Sequence, residues 1–265
     1  MKQMLMIFFA VAFAASVADA ALADAKEIRL EGVYKGHLQD VWWDGGTNLW
    51  WAHTGQILRT DTTGRIITQV HVKEHNAGCE VRDGKLYVAV CLMQNKTGGK
   101  TTPECRVQVN VHDALSLKLL EEHVLDINDR AGSLAILPDG SFVVGCLRPP
   151  DIALTQVRLH HISPDFKLIS SHVIDNVQVK LGIETIKYHN GELYLHMYAA
   201  GGLTVVLDPT TFKEKRRFCR NGAYGLIFDG EQVWRGISIR NQTDKTYTSK
   251  LVCEPLAEPA IMDAK

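Results

Sequence analysis

Several things are missing from this chain of 265 residues. It has no charge excess: 29 basic and 30 acidic residues leave a net charge of -1. It also has no basic block, so neither nucleic acid nor an anionic membrane surface is expected as a partner. No low-complexity tract is present, so a folded domain is expected. Beyond the N-terminus, no apolar run approaches the ~18 residues that would suggest a membrane span. The six cysteines form no C-x-x-C pair and none has a histidine at zinc-finger spacing, which argues against a structural zinc finger. Helical periodicity is almost absent too, leaving strands to build the fold.

What is present begins with "MKQMLMIFFAVAFAASVADA". One early cation, Lys2, precedes an apolar run from Met4 to Ala15, and the stretch closes on Ala18-Asp19-Ala20. This is the layout of a secretory signal, predicted over residues 1–20. The expected location is therefore periplasmic or secreted, with no membrane attachment after cleavage. Export permits disulfides. Cys79, Cys91, Cys105, Cys146, Cys219 and Cys253 do not reveal a pairing, and those within apolar strand runs read equally well as small core residues.

One pattern recurs five times: an apolar run, Asp/Asn-Gly, then a second apolar run. The copies are "DVWWDGGTNLWWA", "CEVRDGKLYVAV", "LAILPDGSFVVG", "TIKYHNGELYLHM" and "GLIFDGEQVWRG". Asp-Gly and Asn-Gly suit tight turns because both residues tolerate positive φ, and the flanking β-branched and aromatic residues favour strands. A second hairpin follows in most units, at Asp61–Arg65, Asp113–Lys118, Ser163–Lys167 and Asp208–Lys213. Each unit then reads as four antiparallel strands in roughly 40–55 residues, the size of a propeller blade.

The fifth unit is one strand short, while Glu27–Gly36 is a strand without a hairpin partner. The expected architecture is all-β: a five-bladed β-propeller over residues 27–256, closed by the N-terminal strand entering the last blade, with a tail over 257–265. Closure removes an exposed sheet edge. A six-bladed ring and an incomplete β-solenoid are the alternatives. A monomer is expected.

In a propeller the first strand of each blade lines the axis, and the loops leading into those strands form an opening. The candidates there are His37, Gln39 and Asp40 in blade one; His75, Asn76, Cys79 and Glu80 in blade two; Asp129, Arg130 and Ser133 in blade three; Glu184 and Thr185 in blade four; and Asn221 and Tyr224 in blade five. Three chemistries fit. Asp40, Glu80 and Glu184 offer paired carboxylates for acid/base work. His37, His75, Asp40 and Glu184 offer ligands for a divalent cation in the axial funnel, although no cofactor is required. Ser133 and Cys79 offer nucleophiles without an elbow motif.

The selected set is Asp40 or Glu184 as acid/base, Arg130 as an anion clamp, Tyr224 as a stacking or hydrogen-bonding group, and His37, Gln39 and His75 as ligand-binding groups. The expected ligand is a small polar molecule, a glycan or a peptide. The alternative is a secreted enzyme, either a glycan-acting hydrolase or an acyl-transfer catalyst.

The other histidines, His160, His161, His172 and His189, read as solvated or packing residues, while His196 and Tyr198 lie one strand from the axis. Insertions at Asn95–Glu104 and Leu147–Gln156 fall in corresponding parts of adjacent blades, where they would form a wall or lid. The pairs Trp42-Trp43 and Trp50-Trp51 must send one ring to each side of the sheet, so at least one of each pair should pack between blades.

The segment from His37 to Gln69 resembles a first blade of the secreted five-bladed glutaminyl cyclotransferase-like propellers. Gln39-Asp40-Val41 stands where that group has a Thr-Gln-Gly-Leu segment. Glu184 matches the second Glu of its Asn-Glu-Leu-Glu segment. Gly182 replaces the first, and Asn76-Ala77-Gly78 replaces a Gly-Glu-Gly segment. The resemblance implies the five-bladed fold and, for the enzyme alternative, cyclotransferase-like acyl transfer.

Overall fold

The computed structural model describes residue 22 and residues 25–94, 104–147, 151–153, 155–177, 181–198 and 202–256. The expected signal segment, the C-terminal tail and most of the first insertion lie outside these residues, as does part of the second. The described residues form strands and turns, arranged as five antiparallel sheets of four strands each. Blade one comprises β2 (Leu38–Trp43), β3 (Leu49–His53), β4 (Gln56–Thr60) and β5 (Ile66–His71). Blade two comprises β6 (His75–Arg82), β7 (Lys85–Gln94), β8 (Glu104–Asp113) and β9 (Leu119–Val124). Blade three comprises β10 (Arg130–Ile136), β11 (Phe142–Leu147), β12 (Val157–Ile162) and β13 (Leu168–Ile174). Blade four comprises β14 (Ile183–His189), β15 (Glu192–Met197), β16 (Leu203–Leu207) and β17 (Glu214–Phe218).

Blade five closes the ring. Its order is β1-β20-β19-β18, with β18 (Leu226–Asp229), β19 (Gln232–Arg240) and β20 (Tyr247–Pro255) from the C-terminal part of the chain. The outer strand is β1 (Glu27–Arg29) from the N-terminal part, and Ile28 registers with Leu251. Lys250 Nζ donates to Glu27 Oε2 across this seam at 2.5 Å. The Tyr34–Tyr247 bridge extends the pairing.

All five Asp/Asn-Gly turns carry the glycine at positive φ, and two of them act fully as expected. In Asp83-Gly84 and Asn190-Gly191 both residues take positive φ, the conformation whose twist matches that of the flanking strands. The core lies between blades. Trp50 packs with blade-two residues Leu86, Val88 and Leu117, while Trp51 packs against Trp234 and Leu251 of blade five. Their indole N–H groups are satisfied by Ala114 O at 2.7 Å and Thr60 Oγ1 at 2.9 Å. Adjacent tryptophans therefore stitch blade one to both neighbours.

The inner strands are joined by side chains that cap backbone groups of the next blade. Asp40 Oδ2 accepts from Cys79 N at 3.0 Å, Glu80 Oε2 from Ile136 N at 3.0 Å, and Ser133 Oγ from Ile186 N at 2.9 Å. Sheets packed face to face cannot pair their backbones with one another, so these buried N–H groups need side-chain acceptors.

The inner strands of blades one to four also share an irregularity. Register shifts fall at Leu38/Asp40, Asn76/Cys79, Ala131/Ser133 and Ile183/Thr185. Each is near the leading end of its strand. A bulge leaves a residue unpaired and re-aims its side chain. In blades one and four the skipped residues are Gln39 and Glu184.

Candidate functional site

The leading ends of the inner strands bring six of the seven selected residues together. Gln39 Nε2 lies 2.9 Å from His37 Nε2, 3.0 Å from His75 Nε2 and 3.3 Å from Thr54 Oγ1. An amide nitrogen only donates, so both imidazoles turn an Nε2 lone pair toward it and carry their proton on Nδ1. Both are thus held neutral. Burial lowers the His37 pKa; burial first, with Arg130 and any protonation of His37 acting against a second cation, brings that of His75 to about 4.

Arg130, exposed at the start of β10, acts electrostatically on both His75 and Glu184. Glu184 is 7% exposed and its Oε1 is buried without a hydrogen-bond partner. Burial raises its pKa to about 7, opposed by Arg130. Tyr224 completes the ring. Its ring centroid lies 6.0 Å from that of His37 and 6.4 Å from that of Tyr198, in edge-on geometry. Burial, with Tyr198, Glu184 and Tyr247 nearby, pushes its hydroxyl up to about 12. Tyr247 adds another ring 5.8 Å from His37. All five blades therefore contribute. Sequence reasoning missed Thr54 and Tyr247, which stand on a turn and an outer strand; an inner-strand search does not reach them.

Asp40, the seventh residue, is not at this opening. It is fully buried and bound to Lys187, with Nζ 2.9 Å from Oδ1 and 3.0 Å from Oδ2. The backbone N–H groups of Val41 and Cys79 also donate to it, at 2.8 and 3.0 Å. Lys187 Nζ donates in addition to Val41 O at 2.9 Å and Cys79 O at 3.4 Å, and lies 5.3 Å from the Trp42 ring centroid. Burial pushes the Asp40 carboxyl up while the Lys187 ammonium pulls it down. The expectation of an acid/base Asp40 is corrected here: its lone pairs are taken by an ammonium and two N–H groups. Asp40 and Lys187 form a plug across the waist of the axis.

The other candidates divide similarly. Glu80 caps Ile136 N, and burial raises its pKa to about 7. Ser133 caps Ile186 N. The Cys79 thiol is fully buried beside Asp40, and its pKa is raised accordingly. Neither Ser133 nor Cys79 is presented as a nucleophile. His196 is buried, with Nδ1 2.8 Å from Thr204 Oγ1.

The opposite end of the axis holds a cavity of about 270 Å³ lined by Trp42, Trp43, Lys187, His189 and Phe228. Lys187 is turned to Asp40, and Asp44 accepts from Gly46 and Asn48, whereas His189 Nε2 is buried without a hydrogen-bond partner. His189 stacks on Phe228 at 4.1 Å.

No protein-family model matches the chain, and no curated protein matches its sequence. Among solved structures it is similar to a Myxococcus xanthus glutaminyl cyclase, with a TM-score of 0.55, 12% identity, and coverage of 90% of this chain and 96% of that one. It is also similar to a Bacteroides caccae protein of unknown function, with a TM-score of 0.51, 13% identity, and coverage of 74% of this chain and 69% of that one. Identities this low show a shared fold. The resemblance to cyclotransferase-like propellers therefore holds at fold level.

Proposed function

We propose that this is an exported propeller that binds a small polar ligand, an amino-acid or peptide derivative in particular, at the opening of its axis. The observation that carries this reading is the buried Glu184 Oε1 without a partner, set beside Arg130 and Tyr224. A buried acceptor left unsatisfied is unfavourable by about 1–3 kcal/mol, and a ligand donor would relieve that. Arg130 suits a carboxylate or other planar anion. The tyrosines and the two neutral histidines supply aromatic faces and neutral polar contacts. Export is supported by the charged-apolar-small layout of residues 1–20.

A thermal-shift and calorimetric screen of amino acids, short peptides and oligosaccharides tests the reading. A saturable ligand is expected, with binding lost in Glu184→Gln and Arg130→Ala. Saturable binding that survives both substitutions would place the site elsewhere.

One observation favours a second, catalytic reading. A carboxyl with a pKa of about 7 can both take and return a proton near neutral pH. Cyclisation of an N-terminal glutaminyl residue needs such a transfer: the α-amine attacks the side-chain amide carbon, loses a proton, and ammonia leaves carrying one. Ammonia release from glutaminyl peptides, abolished in Glu184→Gln, is the expected result. Binding without release would leave the ligand-binding reading alone standing.

A further inference from the structure

Behind the rim, in the seam between blades two and three, lies a cluster that the opening does not use. Asp129, Cys146 and His160 are 3%, 0% and 5% exposed. Cys146 alternates with Val144 on β11, and Val144 registers with His160 on β12. Both side chains therefore occupy one face, which packs on blade-two residues such as Ala89 and Val107. Asp129 reaches the same point from just before β10. One ligating atom from each of the three lies within 4.8 Å of the other two.

Carboxylate, thiolate and imidazole are the ligand set of zinc-type divalent cations. With bonds of about 2.0–2.3 Å, tetrahedral coordination spaces ligand atoms by about 3.3–3.8 Å, so little rearrangement is needed. A second observation points to a ligand: Asp129 Oδ1 is buried and takes no N–H or O–H donor, the Cys146 thiol being the remaining group that hydrogen-bonds this carboxylate, whereas Oδ2 is held by Arg158 Nη1 at 3.1 Å and His160 Nε2 at 2.9 Å. A third is the support behind the imidazole. His160 Nδ1 lies 2.8 Å from Ser171 Oγ, and a serine hydroxyl can either donate or accept.

We propose that Asp129, Cys146 and His160 bind a zinc-type cation, with a non-protein ligand in the fourth position. Without metal, neutral His160 donates from Nε2 to Asp129, and Ser171 donates to Nδ1. With metal, the imidazole proton moves to Nδ1 and is donated to Ser171 Oγ, which frees the Nε2 lone pair for the cation. The Cys146 thiol releases its proton to solvent as the sulfur–metal bond forms. Arg158 keeps Oδ2; because the cation, carboxylate and thiolate already sum to zero, its charge favours an anionic ligand in the fourth position. Arg130 immediately follows Asp129, so the cation would brace blade three where it meets the opening.

The test uses the reduced, metal-stripped full chain titrated with Zn²⁺ and, as a spectroscopic probe, Co²⁺. One equivalent should bind, and Co²⁺ should show a sulfur-to-metal charge-transfer band in the near ultraviolet. Cys146→Ser should abolish that band. Ser171→Ala removes only a hydroxyl and serves if the cysteine variant does not fold; it should weaken Zn²⁺ binding by about 10- to 100-fold. No stoichiometric uptake by the wild type would overturn the proposal. So would uptake that ignores Cys146→Ser and Ser171→Ala, or uptake that is lost instead in His75→Ala and Glu184→Gln.

Discussion

Two buried carboxylates on inner strands, Asp40 and Glu184, have opposite surroundings. Asp40 at the waist has an ammonium and two backbone N–H groups on its oxygens. Glu184 at the opening has a buried oxygen with no hydrogen-bond partner, and Arg130 close by. Burial raises both pKa values, so burial does not distinguish them. The difference is in satisfaction. An acid whose lone pairs are all taken holds the ring together; a buried acid with an empty lone pair among polar and aromatic side chains is available to something else.

The sharpest way to break this contrast is to remove one partner of the waist pair. Asp40→Asn or Lys187→Met strands the other group, and a buried pair broken on one side loses about 3–5 kcal/mol. Urea denaturation should show that loss for each single variant and a clearly non-additive result for the double variant. A loss under ~0.5 kcal/mol would end the description of Asp40 as a scaffold residue. The next largest effect belongs to Gln39→Ala. It removes the amide shared by His37 and His75 and should lower stability by about 1–2 kcal/mol, while raising the pKa values of both histidines in a ¹⁵N NMR titration.

These two predictions also mark what the sequence made legible. The five Asp/Asn-Gly hairpins could be read because each turn places a glycine at positive φ, although the Asp/Asn-Gly pair is itself the two-residue turn only at Asp83-Gly84 and Asn190-Gly191. The closing strand could be read because blade five was one strand short. His37, Gln39, His75, Arg130, Glu184 and Tyr224 lie near one another, because the blade period sets the leading end of every inner strand at the same end of the axis. Asp40 was misplaced for a physical reason. The bulges that turn Gln39 and Glu184 out of register carry no residue signature, and plain alternation leaves Asp40 looking like a mouth residue. Its partner Lys187 lies 147 residues away, and no local pattern announces that pairing. His160, read as solvated or packing, is buried against Asp129, a contact equally hidden from local pattern because it crosses from β12 to the loop that leads into β10.

A smaller effect reads the surroundings of Glu184 by pH. Glu184 ionises near pH 4.5 when unfolded and near 7 when folded. Between those values the native state holds the extra proton, so its contribution to stability is full below about pH 4.5, falls as pH rises, and levels off above about 7. Glu80 adds a slope of the same sign. His75, lowered from 6.5 to about 4, adds the opposite slope, losing stability as pH falls through that window. The difference between wild type and Glu184→Gln isolates the Glu184 share. Stability relative to the variant should decline from pH 4.5 to 7.

The most direct test of the central claim is a ¹³C NMR titration of the side-chain carboxyls, with Glu184 assigned by its disappearance in Glu184→Gln. The account predicts a midpoint near 7, displaced when a ligand occupies the opening. A midpoint at the ordinary value near 4.5, unmoved by any ligand, would contradict it.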